Sequence, residues 1–357
     1  MSVWNPLGRI DAYSVERQVA LAGRIGALLH ASGSTVLVPG EAIVALEAVA
    51  RGLGRPGVRA LNVITSPYGG LFGAWLAQAG AVVVDLVAEP GLPIEAAAVR
   101  EALAGGRFDL VAVVHGEAAS GIVNPLVEVA ALAHAAGAIV VVDAVASVGA
   151  HPLDVDAFGL DVVVIGPQKA LGGPASLAAV TIGAAGEARL SRDPLQSSVV
   201  LPLPGQAVPL GTADPLSFWA LEAALDAVEA EGLATRIARH ERAARAARAG
   251  LLALGVAPWV RADDRASHLV TAARLPDGVA AAEVLRRIAA LDPAAASAGV
   301  GDAGERFVRL HHTGERAAFA PVLAAVVALG GALVGLGVPV DVGAAGQAVL
   351  AAFEEGR

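Results

Sequence analysis

The 357-residue chain contains no cysteine. Disulfides, thiolate metal sites and cysteine nucleophiles are therefore excluded, and any covalent chemistry must use another side chain. Charge is scarce too: charged residues make up 17% of the chain against 55% hydrophobic, with a net charge of −9. A nucleic acid or an anionic membrane calls for a basic patch, so neither partner is expected. Between Met1 and Val15, where Arg9 and Asp11 stand, there is no apolar core of a signal peptide, and the expected location is the cytoplasm. From Ala317 to Val340 no charge appears for long enough to span a bilayer. Pro321, Gly330, Gly331, Gly335 and Gly337 interrupt that stretch, which reads as a buried amphipathic helix stopped at the Gly-Gly pair.

Lysine is the most informative shortage. Of 25 basic residues, 24 are arginine, and the single lysine is Lys169. A phosphate loop of the G-x-x-x-x-G-K type is thereby excluded, because Lys169 lies in a different context. Arginine serves wherever a plain positive charge is needed, but it cannot form an imine and is effectively never deprotonated. A partly desolvated lysine can be both nucleophile and base.

Short β-branched runs recur at Ala60–Thr65, Ala81–Leu86, Leu110–His115, Ala138–Asp143, Asp161–Ile165 and Leu177–Ile182. They are near-continuously hydrophobic, as strands buried on both faces are, which predicts an α/β fold with a mostly parallel sheet between helices. Helices are predicted at Glu41–Leu53, Leu71–Ala79, Glu95–Ala104 and Pro125–Ala136, then over Leu216–Leu254 after a Pro/Ser-rich loop from Asp193 to Pro215. The length suits a large domain over residues 1–235 and a smaller one over 236–357.

In open parallel sheets, ligands sit beyond the carboxyl ends of the strands. That rule selects His115, Asp143, Tyr68 just past Thr65, and Lys169 just past Ile165. An aspartate at a strand end is by itself usually a turn residue. Beside a reactive lysine it reads differently, because a vitamin B6 ring needs an anion at its pyridine nitrogen to draw in electrons.

The runs Asp143-Ala144-Val145-Ala146-Ser147-Val148-Gly149, Pro152-Leu153-Asp154, Gly159-Leu160-Asp161 and Gly166-Pro167-Gln168-Lys169-Ala170-Leu171-Gly172-Gly173-Pro174 together resemble the core of the class V, fold type I aminotransferases. The resemblance extends to His115-Gly116-Glu117 with Ser120-Gly121, to Thr212, and to Phe307-Val308-Arg309-Leu310. It implies a central sheet sandwiched by helices, a smaller C-terminal α+β domain, and a Schiff base between Lys169 and a B6 aldehyde. It further implies Asp143 on the pyridine nitrogen, Val145 against one ring face and Tyr68 against the other. Gln168 would hold the far end of the cofactor together with Thr212 from a neighbouring subunit, hence a homo-oligomer, dimer or tetramer. Arg309 would grip the carboxylate of a small amino or keto acid bidentately.

One departure bears on the cofactor. Ordinary members open their first large helix with small residues whose backbone N–H groups cradle a phosphate, whereas this chain has Pro39-Gly40-Glu41-Ala42-Ile43. Like charges about 4 Å apart repel by about 4 kcal/mol at an effective dielectric near 20, and a helix terminus offsets only about 0.3–1 kcal/mol. If Glu41 points inward, phosphate is excluded and an uncharged hydroxymethyl group is favoured. The pattern then resembles members that treat free pyridoxamine and pyridoxal as bound substrates, with pyruvate and L-alanine as the keto and amino acids. If Glu41 points outward, the chain is an ordinary pyridoxal phosphate enzyme of the serine or alanine–glyoxylate type. Ala118 and Pro209, where relatives place phosphate-site hydroxyls, agree with the first reading. Val300, where a second carboxylate arginine is expected with only Arg306 nearby, leaves the keto acid open.

Gly52-Leu53-Gly54-Arg55-Pro56-Gly57 fits G-x-G-x-x-G, but it follows a helix and precedes a strand, the reverse of a dinucleotide site. His311 and His312 are adjacent, point apart and read as structural, and His115 reads as a strand-end contact.

Overall fold

A computed structural model describes residues 10–191, 214–301 and 303–355. All six predicted strands are present within one residue at each end: β2 (Arg59–Ile64), β3 (Val82–Val87), β4 (Leu110–Val114), β5 (Ile139–Asp143), β6 (Val162–Ile165) and β7 (Leu177–Ile182). A seventh, β1 (Ser34–Pro39), was not anticipated. It lies at the sheet edge and is only partly buried, so its sequence lacks the continuous apolar run of an inner strand. It is held by antiparallel pairing to β7 and by a 3.0 Å hydrogen bond between the hydroxyls of Thr35 and Thr181.

The strand order is β1-β7-β6-β5-β4-β2-β3. From β6 to β3 every pairing is parallel, and β7 is antiparallel to both its neighbours. One face is covered by α1 (Val15–Leu28), α4 (Ala96–Ala104), α5 (Leu126–Ala135) and α7 (Pro215–Glu231), whose Ile25, Val99, Val129 and Phe218 join Val111, Val140 and Val163 in one core. The opposite face is covered by α2 (Ala42–Leu53) and α3 (Pro67–Gln78) through Ala45, Val49, Phe72 and Leu76. Each large apolar side chain buried this way contributes about 1.5–3 kcal/mol, which explains why the inner strands carry almost no polar residue.

One helix boundary differs from expectation. The helix predicted from Leu71 begins a turn earlier: the Ser66 hydroxyl accepts from the Tyr68 N–H at 3.2 Å and Pro67 fills the first turn, where a missing N–H costs nothing. Tyr68 is thus a first-turn helical residue. The helices predicted over Leu216–Leu254 are α7 and α8 (Leu233–Ala253), separated at Gly232, whose φ of 81° only glycine adopts readily.

A short helix α6 (Ala184–Arg189) follows β7. The C-terminal part pairs β8 (Val270–Arg274), β10 (Phe307–His311) and β9 (Ala296–Ala298) into an antiparallel sheet, with α9 (Ala281–Ala289), α10 (Phe319–Val334) and α11 (Val342–Glu354). The expected stop at Gly330-Gly331 does not occur; α10 runs through both glycines. The reason is packing: a Cβ at Gly330 would lie 2.9 Å from Leu254 and 2.9 Å from Val342. Likewise a Cβ at Gly250 of α8 would lie 2.8 Å from Val326 of α10 and 2.8 Å from Val349 of α11. These glycines let three helices cross closely instead of ending one. No helix among the described residues is long and apolar enough to cross a membrane.

Replacing Gly250 with leucine is therefore expected to destabilise the protein by about 1–3 kcal/mol through overpacking. A denaturation midpoint unchanged from wild type in urea would show the crossing to be looser than described.

Candidate active site

The carboxyl ends of β2, β4, β5 and β6 open onto a cavity lined by Glu41, Tyr68, Glu117, Asp143, Val145 and Lys169, among others. Asp143 is the last residue of β5 and stands in register with Val114 of β4 and Val164 of β6. Lys169 follows β6 through a tight turn closed by hydrogen bonds from Gly173 N–H to Pro167 O (2.8 Å) and from Gly172 N–H to Lys169 O (3.1 Å). The turn leaves the lysine amine facing the cavity, half-buried.

Burial pushes the Lys169 amine below its usual value, helped by the Arg309 guanidinium and opposed by Glu41 and Asp143. Such an amine reaches its neutral, nucleophilic form at lower pH than an exposed lysine. Burial raises Asp143 to about 6, against the hydrogen bond from Val145 N–H (2.9 Å) and the attraction of Lys169. The Asp143 carboxyl is poised between holding and releasing a proton.

Glu41 caps α2. Its Oε2 accepts from Ile43 N–H at 2.9 Å, and its Oε1 accepts from Gln168 Nε2. Although much of the residue is exposed, the carboxylate lines the cavity and acts electrostatically on both Lys169 and Asp143. The helix N-terminus is already occupied by an anion supplied by the chain itself. Gln168 Oε1, by contrast, is buried without a hydrogen-bond partner among the described residues.

Tyr68 and Val145 line the cavity, Tyr68 with 37% of its surface exposed. Arg309 reaches across from β10: its Nε donates to Ala298 O and its Nη1 to Ala118 O, each at 2.7 Å. Two of the five N–H groups are thus spent on tying β10 to the loop after β4, and the Nη2 end remains for an anion. Arg306 stacks over Trp259, 5.4 Å from the ring centroid, and does not join Arg309. Thr212 and Pro209 lie outside the described residues.

The histidines fall outside this cavity. His115 N–H donates to Asp143 O at 2.9 Å while its buried ring, pushed down to about 4 by desolvation, packs 5.8 Å from that of His151. His312 is fixed between Thr271 Oγ1 (2.8 Å) and His268 O (2.9 Å), and His311 pairs with Ser297. Glu117 is the residue to which sequence reasoning gave no role. Its position two residues past His115, at the mouth of a fully apolar strand, was the available signal.

Because Lys169 is the only lysine, an amine-directed reagent reports on this one side chain once the N-terminus is resolved by peptide mapping. Glu41→Gln removes the largest of the charges that favour the ammonium form, so the Lys169 pKa falls further and the midpoint of modification moves to lower pH. A midpoint that rises or stays fixed contradicts the geometry.

The profile of the Aminotransferase class-V family matches residues 24–299. The chain is 31% identical over 346 residues to pyridoxamine–pyruvate transaminase of Mesorhizobium japonicum, covering 91% of this chain and 85% of that one. The crystal structure of pyridoxamine–pyruvate aminotransferase from Mesorhizobium loti superposes with a TM-score of 0.90 at 29% identity, over 98% of this chain and 93% of that one. Alanine–glyoxylate aminotransferase from Nostoc sp. shares the fold at a TM-score of 0.81 and 22% identity, over 89% of this chain and 87% of that one. With a fold, a cavity and a family profile that agree over most of its length, the chain belongs to the class V aminotransferases.

Proposed function

We propose that this aminotransferase moves an amino group between free, unphosphorylated pyridoxamine or pyridoxal and a small keto or amino acid, with pyruvate and L-alanine as the expected pair. The observation that carries the reading is Glu41. A phosphate at the start of α2 would have to displace the carboxylate from Ile43 N–H and Gln168 Nε2, then sit against its charge. At about 4 Å that repulsion is worth from about 1 kcal/mol in bulk-like solvent to about 4 kcal/mol at an effective dielectric near 20, and the exposure of Glu41 favours the lower part of the range. An uncharged hydroxymethyl group meets no such penalty and donates to the carboxylate. The residues present fit the free vitamin and do not fit its phosphate ester. The name of the Mesorhizobium japonicum relative supports the same substrates.

A B6 vitamer bound here supplies a carbonyl or aminomethyl carbon and a pyridine ring that withdraws electrons when protonated. The chain does the rest. Asp143 holds a proton at the ring nitrogen, and its pKa of about 6 leaves it largely ionised at neutral pH to do so. Val145 and Tyr68 restrict the ring from its two faces, and Glu41 and Gln168 hold its hydroxymethyl end. The Nη2 end of Arg309 binds the carboxylate of the amino or keto acid, orienting its Cα toward Lys169. The Lys169 amine, its pKa depressed by burial, would hold the carbonyl carbon with loss of water, and when free would serve as the base that moves a proton between carbon atoms. A second copy of the chain would contribute Thr212 beside Gln168 at the hydroxymethyl end, as the family resemblance implies.

Mixing purified protein with pyridoxal and, separately, with pyridoxal phosphate separates this reading from the ordinary one. Pyridoxal is expected to bind roughly 5- to 1000-fold more tightly than its phosphate, the span set by the repulsion above. Glu41→Ser narrows or reverses that ratio, and Lys169→Ala abolishes transfer. Pyridoxal phosphate retained through purification, with Glu41→Ser indifferent, would mean the ordinary phosphate-dependent enzyme.

A further inference from the structure

Three carboxyl groups surround one amine in the cavity: Glu41, Asp143 and Glu117. Two have evident partners. Glu117 is fully buried, and the hydrogen bonds around it fix the character of each of its oxygens. Asn124 Oδ1 accepts from Ile94 N–H at 3.0 Å, so the Asn124 amide nitrogen faces the other way, donating to Val114 O and to Thr65 Oγ1, each at 2.8 Å. With its oxygen already accepting, the Thr65 hydroxyl sends its own proton to Glu117 Oε1, at 2.6 Å. Oε1 is therefore an acceptor. Oε2 is buried without a hydrogen-bond partner among the described residues, so a proton on the un-ionised group would sit there.

We propose that Glu117 serves this site as a neutral carboxylic acid, a positioning residue that ties the Thr65–Ser66 turn, and through it Tyr68, to the end of β4 while leaving Asp143 as the single anion on the cavity floor. Ser66 caps α3 and receives the Tyr68 N–H. Thr65, one residue earlier, is gripped by Glu117 and Asn124 together, so the aromatic stands on a turn anchored from both sides. An ionised Glu117 would add a second buried charge beside Asp143 with no cation in contact.

The other charged groups point the same way. Burial raises Glu117 to about 7, with the Asp143 charge adding to it, against the pull of the Ser66 and Thr65 hydroxyls. Across the cavity Lys169 is shared between Glu41 and Asp143. Two residues before Glu117, His115 is held neutral by burial. Arg309 is engaged with the carbonyls of Ala118 and Ala298.

The ligand-free protein provides the test, so its outcome stands apart from whether pyridoxal is the substrate. Infrared difference spectra of wild type against Glu117→Gln, in an Asp143→Asn background, are expected to show the carbonyl stretch of an un-ionised acid at about pH 6 that disappears at about pH 8.5. A carboxylate signal at about pH 6 overturns the proposal. Stability gives a second reading with a definite sign. The unfolded chain releases this proton near the ordinary glutamate value of 4.5 while the folded chain keeps it to about 7, so wild type loses stability relative to Glu117→Gln as pH rises through that window. Parallel curves overturn it. For the positioning role, glutamine preserves both the acceptor and a donor. Glu117→Gln should hold pyridoxal within about threefold of wild type, and Glu117→Ala should lose roughly tenfold, in keeping with one buried charge-free hydrogen bond. Equal losses in the two variants would mean that the charge, not the neutral acid, is what the site uses.

Discussion

Parallel pairing of β5 with β6 is the constraint on which the site rests. Asp143 lies opposite Val164, and Lys169 arrives five residues later through a turn pinned on Pro167 O. Side chains alternate faces along a strand, so a one-residue slip would exchange the apolar faces of β6 and carry the lysine turn away from the carboxylate. Val162, Val163, Val164 and Ile165 are all fully buried, and every one would be displaced by such a slip. The hydrophobic core and the chemistry are locked by the same register. Brought together in this way, an amine depressed by burial and a carboxyl raised by it each regain part of that loss from the other's charge.

Much of this frame is legible in the sequence because inner parallel strands have no alternative composition. Ile139-Val140-Val141-Val142 can only be buried on both faces, and the residue that ends such a run must face the ligand side. The surplus of arginine made the lone lysine conspicuous for a chemical reason, not a statistical one. The edge strand β1 escaped notice because an edge tolerates Ser34, Thr35 and a terminal Pro39. Glycine misled at Gly330, which sits inside a helix that seemed to end there. A sequence does not say whether a glycine serves backbone conformation or close packing, because that depends on what crosses it. Glu117 offered only its place past a strand end; its contact with Thr65, which also bonds Asn124, joins residues distant in sequence.

Arg309 joins the two parts of the chain. Its guanidinium holds Ala118 O after β4 and Ala298 O at the end of β9, so the group proposed to bind a carboxylate is also a strut between the sheets. A half-buried arginine held in this way is oriented in advance, and little side-chain freedom is left to lose on binding. The apparent second arginine, Arg306, is committed to the face of Trp259 and is not paired with Arg309.

On the proposed reading, the discrimination between an alcohol and a phosphate at one end of the vitamin would follow from how a helix terminus is satisfied. Such an end offers unpaired N–H groups and a partial positive charge, and in most members of a phosphate-binding family the ligand supplies the anion. Here the chain supplies it from residue 41, bonded to Ile43 N–H on one side and Gln168 on the other. That choice stabilises the protein in the absence of any ligand, since a capping acid contributes about 0.5–2 kcal/mol. On the proposed reading, a vitamin that leaves after each transfer would be served better by a carboxylate that accepts one hydrogen bond than by a cradle built to retain a dianion.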